Sequence, residues 1–488
     1  MNTNRPPADF PISSCYSRRR FLTLAGATAL APALAPAGWF GGTSEQPIRA
    51  NGPASKYAPA IRAAFVRRAG DYGLRWPGAV YDGEAARRQY TGELRAAEKE
   101  LGLKIELRET PLHTAAEADA WLAEAKAGKP DGLVVLLLDR QDHAWPTAAK
   151  AADTGIPTVV FAPLGTAFTT NTAPLAKRPG VMISSATDFS EARFGLKMLR
   201  AGAKLRETRC LVIHGDRRQD TEVPHLGTKL RHLPAAEFLA EYERTPLTDE
   251  IRDIARDYLR AARHLRGPTR DDLHNGIKSY VVARTLLARE EADSITMDCL
   301  GALGHTKVSL PCIAWSKMLD RGIPAACEAD IGAVVTHALV QLLFDRPGFQ
   351  QDPVAETARQ CLIGAHCSCP TRLNGFDRPP ERFDITHHHG ERDAVPRTLW
   401  RVGQRMSIAD VLLEKAGVAP QMVIGTGTVV DNLSVPPHGG CVVSVMVKLD
   451  TQPDLLSYPG FHQLFFYGDF KKELLAYCQL FGVTPVVA

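Results

Sequence analysis

The stretch DGLVVLLLD, residues 131–139, does most to restrict the fold of this chain. Leu133 to Leu138 are six consecutive aliphatic residues, which leaves a strand no polar face, so both of its faces must be covered. AEADAWLAEAKAGKP precedes it, helical in composition and ending at Gly128 before Pro130. WPTAAKAADTG, again helical, and IPTVVFAP, again strand-like, follow. Strand, helix and strand in this order are the rhythm of an open parallel sheet. Asp139 to His143 then fall just beyond a strand end, where such sheets bind ligands, although a surface loop is the better reading of them.

A second series of the same kind runs from about 180 to 355. GVMISSA and RCLVIHGD read as strands, and TDEIRDIARDYLRAARHL and IKSYVVARTLLAREE as amphipathic helices. ADSITMDCLGAL begins as a strand, and LPCIAWSKMLDRGIPAACEAD supplies a helix, a Gly-Ile-Pro break and a short strand. IGAVVTHALVQLLFD is a long apolar helix. From about 360 the pattern changes to short β-rich pieces, RVGQRMSIADVL, QMVIGTGTVVD, GGCVVSVMVKLD and HQLFFYGD, closed by the helix FKKELLAYCQLFG. The expected fold class is therefore α/β: two open parallel-sheet domains of Rossmann or flavodoxin type, at 56–175 and 176–358, then an antiparallel barrel-like domain at 359–488.

SRRRFLTLAGATALAPALAPAGWF opens with Arg18, Arg19 and Arg20, continues through an Ala-rich stretch and offers small-residue cleavage sites near Ala35 and Ala37. It resembles a twin-arginine export signal, so residues 1–55 are expected to be signal and linker, handled by the twin-arginine translocation machinery, and the mature protein periplasmic. After it no apolar run reaches the roughly 18 residues of a membrane helix. A formal charge of +4 spread over 488 residues gives no footprint for nucleic acid. Of ten cysteines, Cys15 leaves with the signal, and Cys210, Cys299, Cys312, Cys327, Cys361 and Cys478 lie in apolar runs, which predicts few or no structural disulfides.

Asp298 ends the strand-like SITM, and Asp330 ends the next one about thirty residues later, so adjacent parallel strands would bring both to one sheet edge. His366 follows an apolar run in CLIGAHCSCP, and His462 stands at the entry to the last strand. Two carboxylates with one or two imidazoles suit Mn2+ or a related divalent ion. By spacing alone each Asp is equally a helix cap and each His a core histidine. THHHGERD places His387, His388 and His389 at an expected strand start, where consecutive side chains diverge and at most one nears a ligand.

Residues 275–488 resemble the L-fucose isomerase and L-arabinose isomerase superfamily, aldose–ketose isomerases that use Mn2+. TMDC stands where those proteins carry a strand-ending Glu, CEAD matches the following acidic motif, and GFHQLFFYGD matches the closing segment with its histidine. GAHCSCP is similar to the segment that supplies a further histidine. The resemblance implies metal ligands Asp298, Asp330, His462 and His366, and catalytic Asp298, Asp330 and Glu328 passing a proton through an enediol. Glu328 is open between hydroxyl contact, ligand support and a plain salt bridge. It also implies a sugar substrate and a homo-oligomer. The shorter Asp298 in place of Glu keeps a second reading open, a non-catalytic exported carbohydrate-binding protein on the same fold.

Overall fold

A computed structural model describes residues 45–46, 48–70, 74–75, 79–80, 82–140, 143–388, 392–413, 418–434, 441–451 and 453–488. The expected export signal lies outside them. Ser44–Ala488 forms one compact unit of mixed α/β architecture.

Its first sheet is wholly parallel, in the order Lys104–Leu107, Ala60–Val66, Gly132–Leu137, Thr158–Pro163, Val181–Ala186. The aliphatic run lies near its middle and is covered on both faces. Val134, Leu136 and Leu138 enter one core, and Leu133, Val135 and Leu137 enter another. Val181–Ala186, the GVMISSA read as the start of the second series, instead closes the first sheet, pairing along its whole length with Thr158–Pro163. Asp139 is buried against Arg68 at 2.6 Å rather than lying in a surface loop.

The second sheet runs Ala325–Cys327, Ser294–Met297, Arg209–Ile213, Lys229–Leu233, Gln219–Glu222, parallel except for the last strand. The strands before Asp298 and Glu328 are thus neighbours, with Met297 opposite Cys327. Six antiparallel strands then close a barrel: Arg405–Leu412, Gln463–Tyr467, Phe349–Glu356, Cys361–His366, Val443–Leu449 and Gln421–Asn432, which returns to the first. The barrel begins ten residues earlier than the sequence pattern suggested, because Phe349–Glu356 (FQQDPVAE) has no hydrophobic alternation to mark it.

The stretch before Ser55 is not a free linker throughout. The Asp293 carboxylate accepts the amides of Ala54 at 3.1 Å, Ser55 at 3.0 Å and Arg209 at 3.1 Å. A Cβ on Gly52 would lie 2.2 Å from Asp293 Oδ2, so only glycine permits this approach. Glu45 meets Lys317 at 3.1 Å and Arg321 at 3.0 Å. The nine described cysteines are free thiols, eight of them buried. Among the described residues no helix is long and apolar enough to cross a membrane.

Candidate metal centre

The motif CEAD sits where the second sheet meets the barrel. After Ala325–Cys327 the chain passes through Glu328 and Ala329 in the left-handed region, φ 62° and 53°. Side chains with a Cβ adopt that region at a cost of about 1–2 kcal/mol per residue. Such strain persists where the surroundings over-determine it, and it turns Glu328 away from the strand line. Asp330 then caps the helix Ile331–Phe344 by accepting the amide of Ala333 at 2.7 Å. That helix buries 11 of its 14 residues, which fixes the motif from behind.

Two barrel strands supply the imidazoles. His366 ends Cys361–His366, and His462, itself left-handed at φ 48°, precedes Gln463–Tyr467. Both are 4% exposed, and their rings stand edge to face at 5.6 Å. One donor atom each from Glu328, His366 and His462 lie within 4.8 Å of one another, a spacing that could hold a metal ion. Nδ1–H of His462 donates to Asp330 Oδ2 at 2.8 Å, which directs Nε2 toward Glu328 at 3.5 Å and Asp352 at 3.3 Å. Nε2 is buried and faces both carboxylates without a well-directed hydrogen bond, a position a cation would take in exchange for the Nε2 proton.

Burial alone would drive the His462 proton off, but bonding to Asp330, Asp352 and Glu328 outweighs it and raises the imidazole to about 11. The same contact, chiefly His462, holds Glu328 below its usual value. Burial pushes Asp330 up, yet His462 and the Ala333 amide together bring it down.

Four of the five residues singled out by sequence come together: Glu328, Asp330, His366 and His462. Both oxygens of Asp330 are engaged, Oδ1 by Ala333 and Oδ2 by His462. Glu328, not Asp330, is the carboxylate grouped with the two histidines. Asp298 is not among the three grouped residues. It caps Cys299–Leu303 through the Gly301 amide at 3.0 Å, and its other oxygen lies 3.3 Å from His214. Asp352 was missed, since nothing in its polar, proline-containing surroundings marked a strand. His387 and His388 end the strand Phe383–His388 rather than starting one, and His387 bonds the Asp393 carbonyl at 3.1 Å. His389 lies outside the described residues.

His337, two helical turns beyond Asp330, is fully buried with neither ring nitrogen hydrogen-bonded. Burial, aided by the charge of His366, lowers it to about 3. An unfolded histidine takes up its proton near pH 6.5, so stability from this residue is complete above that pH and lost as pH falls toward 3. His337→Leu should therefore move the acid-unfolding midpoint to lower pH, followed by circular dichroism. An unchanged midpoint would show that other groups control acid unfolding.

No protein-family model matches this chain, and no curated protein matches it. Among solved structures, the sugar-binding protein of a sugar ABC transporter from Bacillus halodurans matches at 16% identity, covering 61% of this chain and 91% of that one. Its TM-score is 0.17, which carries no argument about fold or function.

Proposed function

We propose that the chain is a metal-dependent aldose–ketose isomerase of the L-fucose and L-arabinose isomerase type. The observation that supports this most is the group of an exposed Glu328 with the buried His366 and His462, with His462 oriented by Asp330. Nitrogen and carboxylate donors of this kind suit Mn2+. When bound, the ion would polarise the carbonyl and neighbouring hydroxyl oxygens of an open-chain sugar. Proton transfer between C2 and C1 falls to Glu328 and Asp298, which directly follow the paired strand ends Cys327 and Met297. Asp330 keeps the Nδ1 proton of His462 in place, and the buried imidazoles exclude water from one side. With this reading go two Rossmann- or flavodoxin-like domains ahead of the barrel, twin-arginine export to the periplasm with the metal acquired before export, and a homo-oligomer.

The test is metal analysis of protein folded in the cytoplasm, followed by incubation with Mn2+ and a panel of aldoses in D2O. Ketose carrying solvent deuterium at C1 is the expected product. Absence of both bound metal and exchange rejects the proposal in favour of a non-catalytic carbohydrate-binding protein. The helix-capping bond of Asp298 favours that second reading, since a carboxylate held there is less free to move a proton.

A further inference from the structure

We infer that Asp352 is the second carboxylate ligand of this centre, in the place the sequence gives to Asp298 and Asp330. The inference rests on the metal-centre reading and concerns which side chains complete it. Phe349–Glu356 lies in the barrel between the strands that carry the two histidines. Gln351 pairs with Gln463, so the next position along that ladder sets Asp352 opposite His462; on the other side Asp352 pairs with Ala365, the neighbour of His366. Three adjacent strands thus deliver His366, Asp352 and His462 to one end of the barrel, and Glu328 arrives from the sheet edge.

The approach of Asp352 to His462 has the spacing of two donors on one ion, the other two distances are slightly longer, and Asp352 joins the grouped three through His462. Two donors each about 2.1 Å from one cation, at angles between octahedral and tetrahedral, lie about 3.0–3.4 Å apart. His462 Nε2 is 3.3 Å from Asp352 Oδ1 and 3.5 Å from Glu328 Oε2, and His366 Nε2 is 3.8 Å from Glu328 Oε1. Both His462 Nε2 and Asp352 Oδ1 are buried without a well-directed hydrogen bond, and without an ion they meet only as a 3.3 Å ion pair. The rival carboxylates are engaged elsewhere: Asp298 with Gly301 and His214, Asp330 with Ala333 and His462. Two imidazoles and two carboxylates remain, the same donor types first read from sequence, with both carboxylates exchanged: Glu328 and Asp352 for Asp330 and Asp298.

Mn2+ itself is the probe. Loss of the free-ion electron paramagnetic resonance signal is titrated on the full chain for wild type, Asp352→Asn, Asp352→Glu and Asp298→Asn, with circular dichroism checking the fold. Outer-shell substitutions weaken metal sites by about 10–100-fold, and loss of a ligand should reach at least the upper end. Asp352→Asn is therefore expected to weaken Mn2+ binding by about 100-fold or more, Asp352→Glu by about tenfold, and Asp298→Asn by less than about threefold. Wild-type affinity in Asp352→Asn, or an equal loss in Asp298→Asn, overturns the assignment while leaving the metal centre standing. Should Asp352→Asn not fold, Asp352→Glu decides: affinity unchanged from wild type, despite the displaced carboxylate, counts against ligation. A wild type that binds no Mn2+ overturns both this assignment and the metal-centre reading.

Discussion

His462→Asn should lose Mn2+ binding by at least about 100-fold, and with it all aldose–ketose exchange. The asparagine amide, which overlays Nδ1, can still donate to Asp330, the bond His462 makes at 2.8 Å, so the helix Ile331–Phe344 keeps its capped start. What disappears is Nε2, the atom that faces Glu328 and Asp352 together. Removing it leaves carboxylates near one another with no imidazole between them, which raises mutual repulsion and further loosens the site. Calorimetric titration with Mn2+ reads the loss directly. Binding within about threefold of wild type would mean that His462 is a buried structural histidine and the centre lies elsewhere.

Asp320→Ala is expected to destabilise the chain by about 3–5 kcal/mol, measured by urea unfolding. The Asp320 carboxylate is buried at the end of Cys312–Asp320 and accepts three bonds, from the Thr371 amide at 2.8 Å, the Thr371 hydroxyl at 2.6 Å and the Arg372 amide at 2.7 Å. Alanine would orphan two buried-side amides and a hydroxyl at once. Those groups belong to the loop that follows His366, so the variant should also weaken the metal centre without touching it. A loss below about 1 kcal/mol would show that water replaces the carboxylate at little cost.

The sequence pattern revealed most of what periodicity can reveal. Leu133 to Leu138 could only be a strand covered on both faces, and RMSIADVL alternates cleanly enough to be recognised within the barrel. The adjacency of the strands before Asp298 and Glu328 was also legible, because a short helical crossover between two parallel strands leaves little choice. Side-chain direction was not. Two left-handed residues in CEAD bring Glu328, rather than Asp330, into the group with the histidines, and no propensity scale anticipates Glu and Ala with positive φ. A helix cap turns Asp298 toward Gly301, a local contact that strand topology does not report. Asp352 is hidden for a third reason: Gln350, Gln351 and Pro353 around it carry no alternation, and its place beside His462 arises from barrel register between strands more than a hundred residues apart.

The core beneath the first sheet has one further consequence. It includes Val134 and Leu136 from that sheet, Val335, Leu339 and Leu343 from the long helix, Val411 and Phe466 from the barrel, and Tyr477 from the last helix. Proteins that trap a ligand by swinging two lobes together need a thin, wettable seam between those lobes. Here that seam is a single apolar mass, and a jaw-like opening would strip hydrocarbon into water. Any molecule visiting Glu328 and the histidines therefore gains nothing from a jaw-like opening between the first sheet and the barrel.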